Sequence, residues 1–233
     1  MLRFLRVSFI STPIAIVYET VWHNERVKVR YTYRLRPSKT TAAYLHREAG
    51  MCRYVWNQMV ARSKQISVTN QQKLVANPNT TNLETFGAAQ ADKYLTHLRQ
   101  TAQDPKTGEH WLKQGSSVAQ QQTVRDFSTT RNRALSTLNN PKTRRVGFPR
   151  FRSRKNTLPT LNYTKRGFTL KPDPNGRLRL ALPNKTFIPV VWSRPLPSPP
   201  SSVRVYPTHP LDDYGRFLLL ALERSPARLL TKK

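Results

Sequence analysis

The chain has 233 residues, enough for one or two domains with a real core. Forty Lys and Arg against twelve Asp and Glu leave a formal charge of +28, far more than solubility asks for, and self-repulsion of that size is best relieved by a polyanion. The single cysteine, Cys52, excludes an intramolecular disulfide and a multi-cysteine zinc site, and it suits a reducing compartment, where it packs as a small apolar residue.

Residues 1 to 26 hold an apolar run from Val7 to Val17 that Ser8, Ser11, Thr12 and Pro13 interrupt. It lacks the clean apolar core and cleavage site of an export signal, and it falls short of the roughly 18 apolar residues of a membrane helix. The expectation is a cytoplasmic, nucleoid-associated protein with no membrane partner. Residues 1–26 are read as an N-terminal extension without ordered structure, or as the product of an upstream start codon.

From Val27 to Leu35, Val27, Val29, Tyr31, Tyr33 and Leu35 alternate with Lys28, Arg30, Thr32 and Arg34, which predicts a strand with one apolar and one basic face. Pro37 ends it, and Ser38 can cap a helix. In that helix Leu45, Ala49, Cys52, Val55, Trp56, Met59 and Val60 recur at helical spacing, so Trp56 reads as core. Arg53 and Asn57, an i, i+4 pair beside that face, have two readings: they face nucleic acid, or they cap neighbouring backbone.

The stretch from Gln65 to Gly115 carries five basic residues against four acids, so it is not the main phosphate contact. Asn77-Pro78-Asn79 predicts a loop, Ala88 to Thr101 a helix, and Asp104 to Gly108 a turn, before Trp111-Leu112 opens a new packed unit. Ser117-Val118-Ala119-Gln120 fits a capping box at the head of a helix running to about Leu138, with Val124, Phe127, Ala134, Leu135 and Leu138 on its apolar face. Arg125 and Arg133 lie off that face, and Arg131 flanks it.

Lys142 to Lys155 reads KTRRVGFPRFRSRK, seven cations in fourteen residues with no acid. The planar five-donor fork of arginine matches phosphate oxygens and stacks on bases, and phenylalanine adds stacking surface. The candidate nucleic-acid contacts are therefore Lys142, Arg144, Arg145, Phe148, Arg150, Phe151, Arg152, Arg154 and Lys155, joined by Arg53, Asn57, Arg125 and Arg133. Beyond Lys155 the pattern changes to strands. Phe168 and Leu170 lead to a hairpin turn at Asn175-Gly176, then Leu178, Leu180 and Leu182 alternate with Arg177, Arg179 and Ala181. Further strands are expected at Phe187–Trp192, Ser202–Tyr206 and Arg216–Glu223, and together these predict a small antiparallel barrel.

Val146-Gly147-Phe148-Pro149-Arg150-Phe151-Arg152 resembles a motif in the N-terminal half of the OrfB/TnpB family of transposon-encoded, RNA-guided DNA nucleases. Tyr33-Arg34-Leu35-Arg36-Pro37, Gly50-Met51-Cys52-Arg53-Tyr54-Val55-Trp56-Asn57 and Trp111-Leu112 are similar to family elements in the same order, so the resemblance covers about Val27 to Glu223. It implies an α+β fold in which a wedge-like β-barrel carries an inserted helical recognition lobe. The domains expected are an extension 1–26, a first barrel strand 27–37, a helical lobe 38–141, a basic clamp 142–157, the remaining barrel strands 158–223 and a tail 224–233. The partners implied are guide RNA and double- and single-stranded DNA, in a setting of DNA transposition; the oligomeric state is left open.

Histidines 23, 46, 97, 110 and 209 show no ligand spacing, and Asp212-Asp213 reads as a turn between strands with the two acids pointing apart. The family's nuclease centre holds Mg²⁺ on converging Asp and Glu carboxylates just beyond the last barrel strand, and its zinc ribbon uses four cysteines. On this reading the chain is a truncated member that ends before both, needs no cofactor of its own, has no catalytic residues and is not expected to cut DNA by itself. An RNA-binding structural protein resembling a ribosomal protein, and a nuclease-dead DNA-binding regulator, are the alternatives.

Overall fold

A computed structural model describes residues 26–138, 142, 144–155, 160–196, 199–207 and 217–226, with backbone alone for 26–30 and 217–226. Residues 1–25 of the extension, the expected turn at Asp212 to Gly215 and the residues after Pro226 lie outside the described residues, while Arg26 opens the first strand. Strand β1 (Arg26–Leu35) forms where the alternation predicts it, with Tyr33 and Leu35 buried and Thr32 and Arg34 exposed. Ser38 then accepts the Thr41 N–H at 3.2 Å and starts α1 (Lys39–Ala76).

Helix α1 is 38 residues long and serves two cores in succession. Ala42, Leu45, Ala49 and Cys52 pack against the sheet, while Val55, Trp56, Met59, Val60 and Ile66 pack against the other helices. Every position of the predicted apolar face is buried. Past Val60 the helix is mostly polar, and a returning loop lines it: the Asn70 amide donates to Glu84 O and accepts from Glu84 N, both at 2.8 Å. Exposed ion pairs from Arg62 (3.7 Å) and Lys73 (3.4 Å) to the Glu84 carboxylate add little stability. Helix α2 (Ala88–Thr101) follows with the expected bounds, then the Asp104 to Gly108 turn and one 3-10 turn (Trp111–Gln114) that buries Leu112.

Helix α3 (Ser117–Leu138) starts one residue off the expected box. Ser116, not Ser117, takes the capping position, its Oγ accepting the Ala119 N–H at 3.3 Å. Gln120, expected to reach back to the cap, instead donates to Leu112 O at 2.9 Å and accepts from Arg99. The cap moves because the Ser116 N–H is claimed by a buried acid, donating to both carboxylate oxygens of Glu48 at 3.0 and 3.1 Å. Glu48 is buried in α1, and burial pushes its carboxyl up, against the pull of the Ser116 N–H and of Arg99. Leu138 is 41% exposed and does not join the apolar face, because the core ends at Ala134 and Leu135.

The strands β2 (Leu161–Thr164), β3 (Thr169–Pro172), β4 (Leu178–Leu182), β5 (Thr186–Val191), β6 (Ser202–Pro207) and β7 (Phe217–Pro226) join β1 in an antiparallel sheet ordered β2-β6-β7-β1-β5-β4-β3. The first strand in sequence is central, so the helices are an insertion between β1 and β2. The hairpin turn forms as expected, with Gly176 at φ +76° and Asp173 Oδ1 accepting the Asn175 and Arg177 N–H groups at 2.8 Å. Leu178, at the loop end of β4, lines an open cleft with Trp192 and stays 41% exposed; Leu180 and Leu182 are buried as expected.

The fold is α+β, and no closed barrel is formed among the described strands. The order has two ends, β2 and β3, each four residues long, and Pro172 on β3 has no N–H to donate. The sheet nevertheless curls. Leu161 and Tyr163 at one end share a single core with Leu180 and Leu182 near the other, closed over by Tyr33, Ile188, Val203 and Val205.

Candidate nucleic-acid interface

The basic stretch is an extended strap laid across α1 and α3. Val146 N donates to Thr137 Oγ1 at 3.1 Å, and Trp56 Nε1 donates to Arg150 O at 2.8 Å. Asn57 then pairs with Arg152 as a strand neighbour would: Nδ2 donates to Arg152 O at 3.0 Å and Oδ1 accepts Arg152 N at 2.8 Å. Of the two readings of Asn57, the one in which it takes neighbouring backbone describes its geometry.

With the backbone held on one side, most side chains project from the other. Lys142, Arg144, Arg145, Phe148, Arg150, Phe151, Arg154 and Lys155 are exposed. Phe148 and Phe151 keep 47% and 54% of their surface in solvent, unusual for large apolar rings beside a core. Arg152 turns inward. Its guanidinium lies 3.3 Å above the centre of the Trp56 ring, and burial lowers its pKa while nearby Asp126 opposes the shift. Asp126 is in turn raised by burial and steadied by Asn162 Nδ2 at 2.7 Å, whose Oδ1 accepts Arg204 Nε at 2.8 Å. Arg152 thus joins the strap to α3 and to the β2–β6 edge.

Trp56 is core, as its spacing predicts, 4% exposed and edge-on to Phe127 at 5.7 Å. It is also the seat of the strap, a role that periodicity does not reveal. A family model for a helix-turn-helix domain of the OrfB/IS605 type matches residues 27–72. A Streptomyces pristinaespiralis protein described as "Putative RNA-guided DNA endonuclease" is 29% identical over 185 residues, covering 78% of this chain and 39% of that protein. Both findings support the resemblance to the OrfB/TnpB family. The chain spans well under half the length of that curated relative. The residues matched as helix-turn-helix fold as β1, a short turn and most of the unbroken α1.

The other expected contacts are scattered. Arg53 is half-buried one turn before Asn57, and Arg133 is exposed on α3. Arg125 lies apart from the strap, in a cleft of about 600 Å³ with Arg99, Lys113 and Arg166 between α2, α3 and the β2–β3 turn. Lys64 was not expected in the site. It stands 4.8 Å from the centre of the Phe151 ring, and its seven-residue spacing from Asn57 is the signal that would have found it. Arg131 flanks the core as predicted, donating from Nε to Ser63 Oγ at 3.1 Å. Among the described residues no helix is long and apolar enough to cross a membrane.

Proposed function

We propose that this chain binds guide RNA and target DNA for an OrfB/TnpB-type, transposition-linked protein, with the strap as its principal phosphate contact and Asn57 and Arg152 as positioning residues. One observation carries the reading: six outward cations and two phenylalanines sit on a backbone fixed at Val146, Arg150 and Arg152. Fixing them beforehand lowers the ordering cost of binding, and arginine forks fit phosphate oxygens in pairs. The net charge and the relative's description support a nucleic-acid partner. A recognition-helix mode draws no support from α1, whose matched part has no turn in it. The curled sheet is proposed to act as the family's wedge-like barrel, with α1 to α3 as its recognition lobe. Guide pairing would read the sequence, while the protein reads backbone shape. Strand cleavage is assigned to none of the described residues.

Photo-crosslinking tests this. RNA carrying 4-thiouridine, or DNA carrying 5-iodouracil, is irradiated in complex with the full chain and the adducts mapped by peptide. The expected adducts fall on 144–155 and the adjoining face of α1. Adducts confined to β3, β4 and β5 would overturn the assignment.

A further inference from the structure

Beside the strap lies a cavity of about 600 Å³ between α1, α3 and the Leu83-Glu84 segment, floored by Val60, Ile66, Phe127 and Leu135, with Phe148 and Pro149 at its mouth. The rim of this hollow indicates what chemistry it suits. Lys64 and Arg131 both line it, and Lys64 also faces the Phe151 ring. The one acid there, Glu84, is already paired with Arg62 and Lys73. Ser67 and Gln71 add hydroxyl and amide groups above the apolar floor. The volume is that of a small-molecule site.

We infer that this cavity takes a single unstacked nucleobase from a strand bound on the strap. A base is flat and apolar on both faces, polar at its edge, and tied to a phosphate. Those needs correspond to Phe148 and the floor, to Gln71 and Ser67, and to Lys64 with the neighbouring Arg150. Phe148 is positioned for this because the backbone is pinned on both sides of it, at Val146 and Arg150, so the ring stays half-exposed at the mouth. A protein helix would fill the same hollow, but the cationic rim and its continuity with the strap favour a nucleotide.

The inference rests on the strap binding nucleic acid and predicts more than that: discrimination of single strands through the base. Affinity of the full chain and of Phe148→Ala is measured by fluorescence anisotropy for a short single-stranded oligonucleotide, its abasic counterpart and a blunt duplex. Base–aromatic stacking is worth about 1–3 kcal/mol per base, so Phe148→Ala should weaken single-strand binding roughly 5- to 150-fold. Phe148→Tyr should restore it, the duplex should bind both proteins alike, and abasic strands should not distinguish them. Equal losses on single strand and duplex, or abasic binding as tight as normal, would overturn the base pocket while leaving the strap reading intact. Failure of every oligonucleotide to bind the parent would overturn both.

Discussion

At the scale of single residues, Trp56, Asn57 and Arg150 do different work within a few ångströms of one another. Trp56 fills the helical core and donates to the strap, so Trp56→Ala should cost about 3–5 kcal/mol of stability, a large part of a domain's total. Arg150→Ala, whose side chain is exposed, should melt like the parent and lose affinity for nucleic acid. Thermal unfolding beside a binding isotherm separates the two; a Trp56→Ala protein that melts normally would contradict the core assignment. Asn57→Ala removes both amide bonds to Arg152 and should leave the fold stable while loosening the strap, read as faster proteolysis between Arg150 and Arg154. Unchanged cleavage would show that Trp56 and Val146 suffice. The core role of Trp56 was legible in the sequence because it repeats at helical spacing. The part played by Asn57 was not, since its partner lies 95 residues away and an amide offers the same groups to a backbone as to a base.

At the scale of elements, buried Glu48 couples α1 to the start of α3. Its carboxyl is raised above the ordinary 4.5 by burial, so the folded chain holds that proton to higher pH than the unfolded chain. Its contribution to stability is therefore full below 4.5 and is lost as pH rises towards the folded value. Glu48→Gln should accordingly gain melting temperature relative to the parent as pH is raised from 4.5, and a relative loss would reverse the assignment. Gly115 belongs to the same joint. A Cβ there would run into Met51, Gln120 and Glu48, so Gly115→Ala should destabilise the α1–α3 contact. Element types were largely readable: α2, the hairpin at Gly176 and the alternation of β1 follow from local chemistry. The cap of α3 slipped by one residue because a long-range partner claimed the Ser116 N–H. Strand β2 went unread because four residues carry too short a pattern.

At the scale of the whole molecule, the sequence conveyed a charge of +28 and an order of strand, helices and strands, and both are consistent with a sheet whose first strand is central. Closure of the sheet was not legible, since it depends on whether two four-residue edges meet. Neither was the division of labour within the basic stretch, where Arg152 faces inward and its neighbours face out. The central claim is that the outward cations of the strap, and not diffuse charge, hold nucleic acid. Its most direct test is the salt dependence of binding for two variants of matched charge. One has Arg144, Arg145, Arg150, Arg154 and Lys155 changed to Gln, and the other has Lys165, Lys171, Arg177, Lys185 and Arg194 changed. Each phosphate contact contributes about −0.7 to −0.9 to the slope of log K against log salt, so the strap variant should lose about three units or more of slope and the sheet variant little. Equal flattening in both would contradict the account and describe a diffuse polycation.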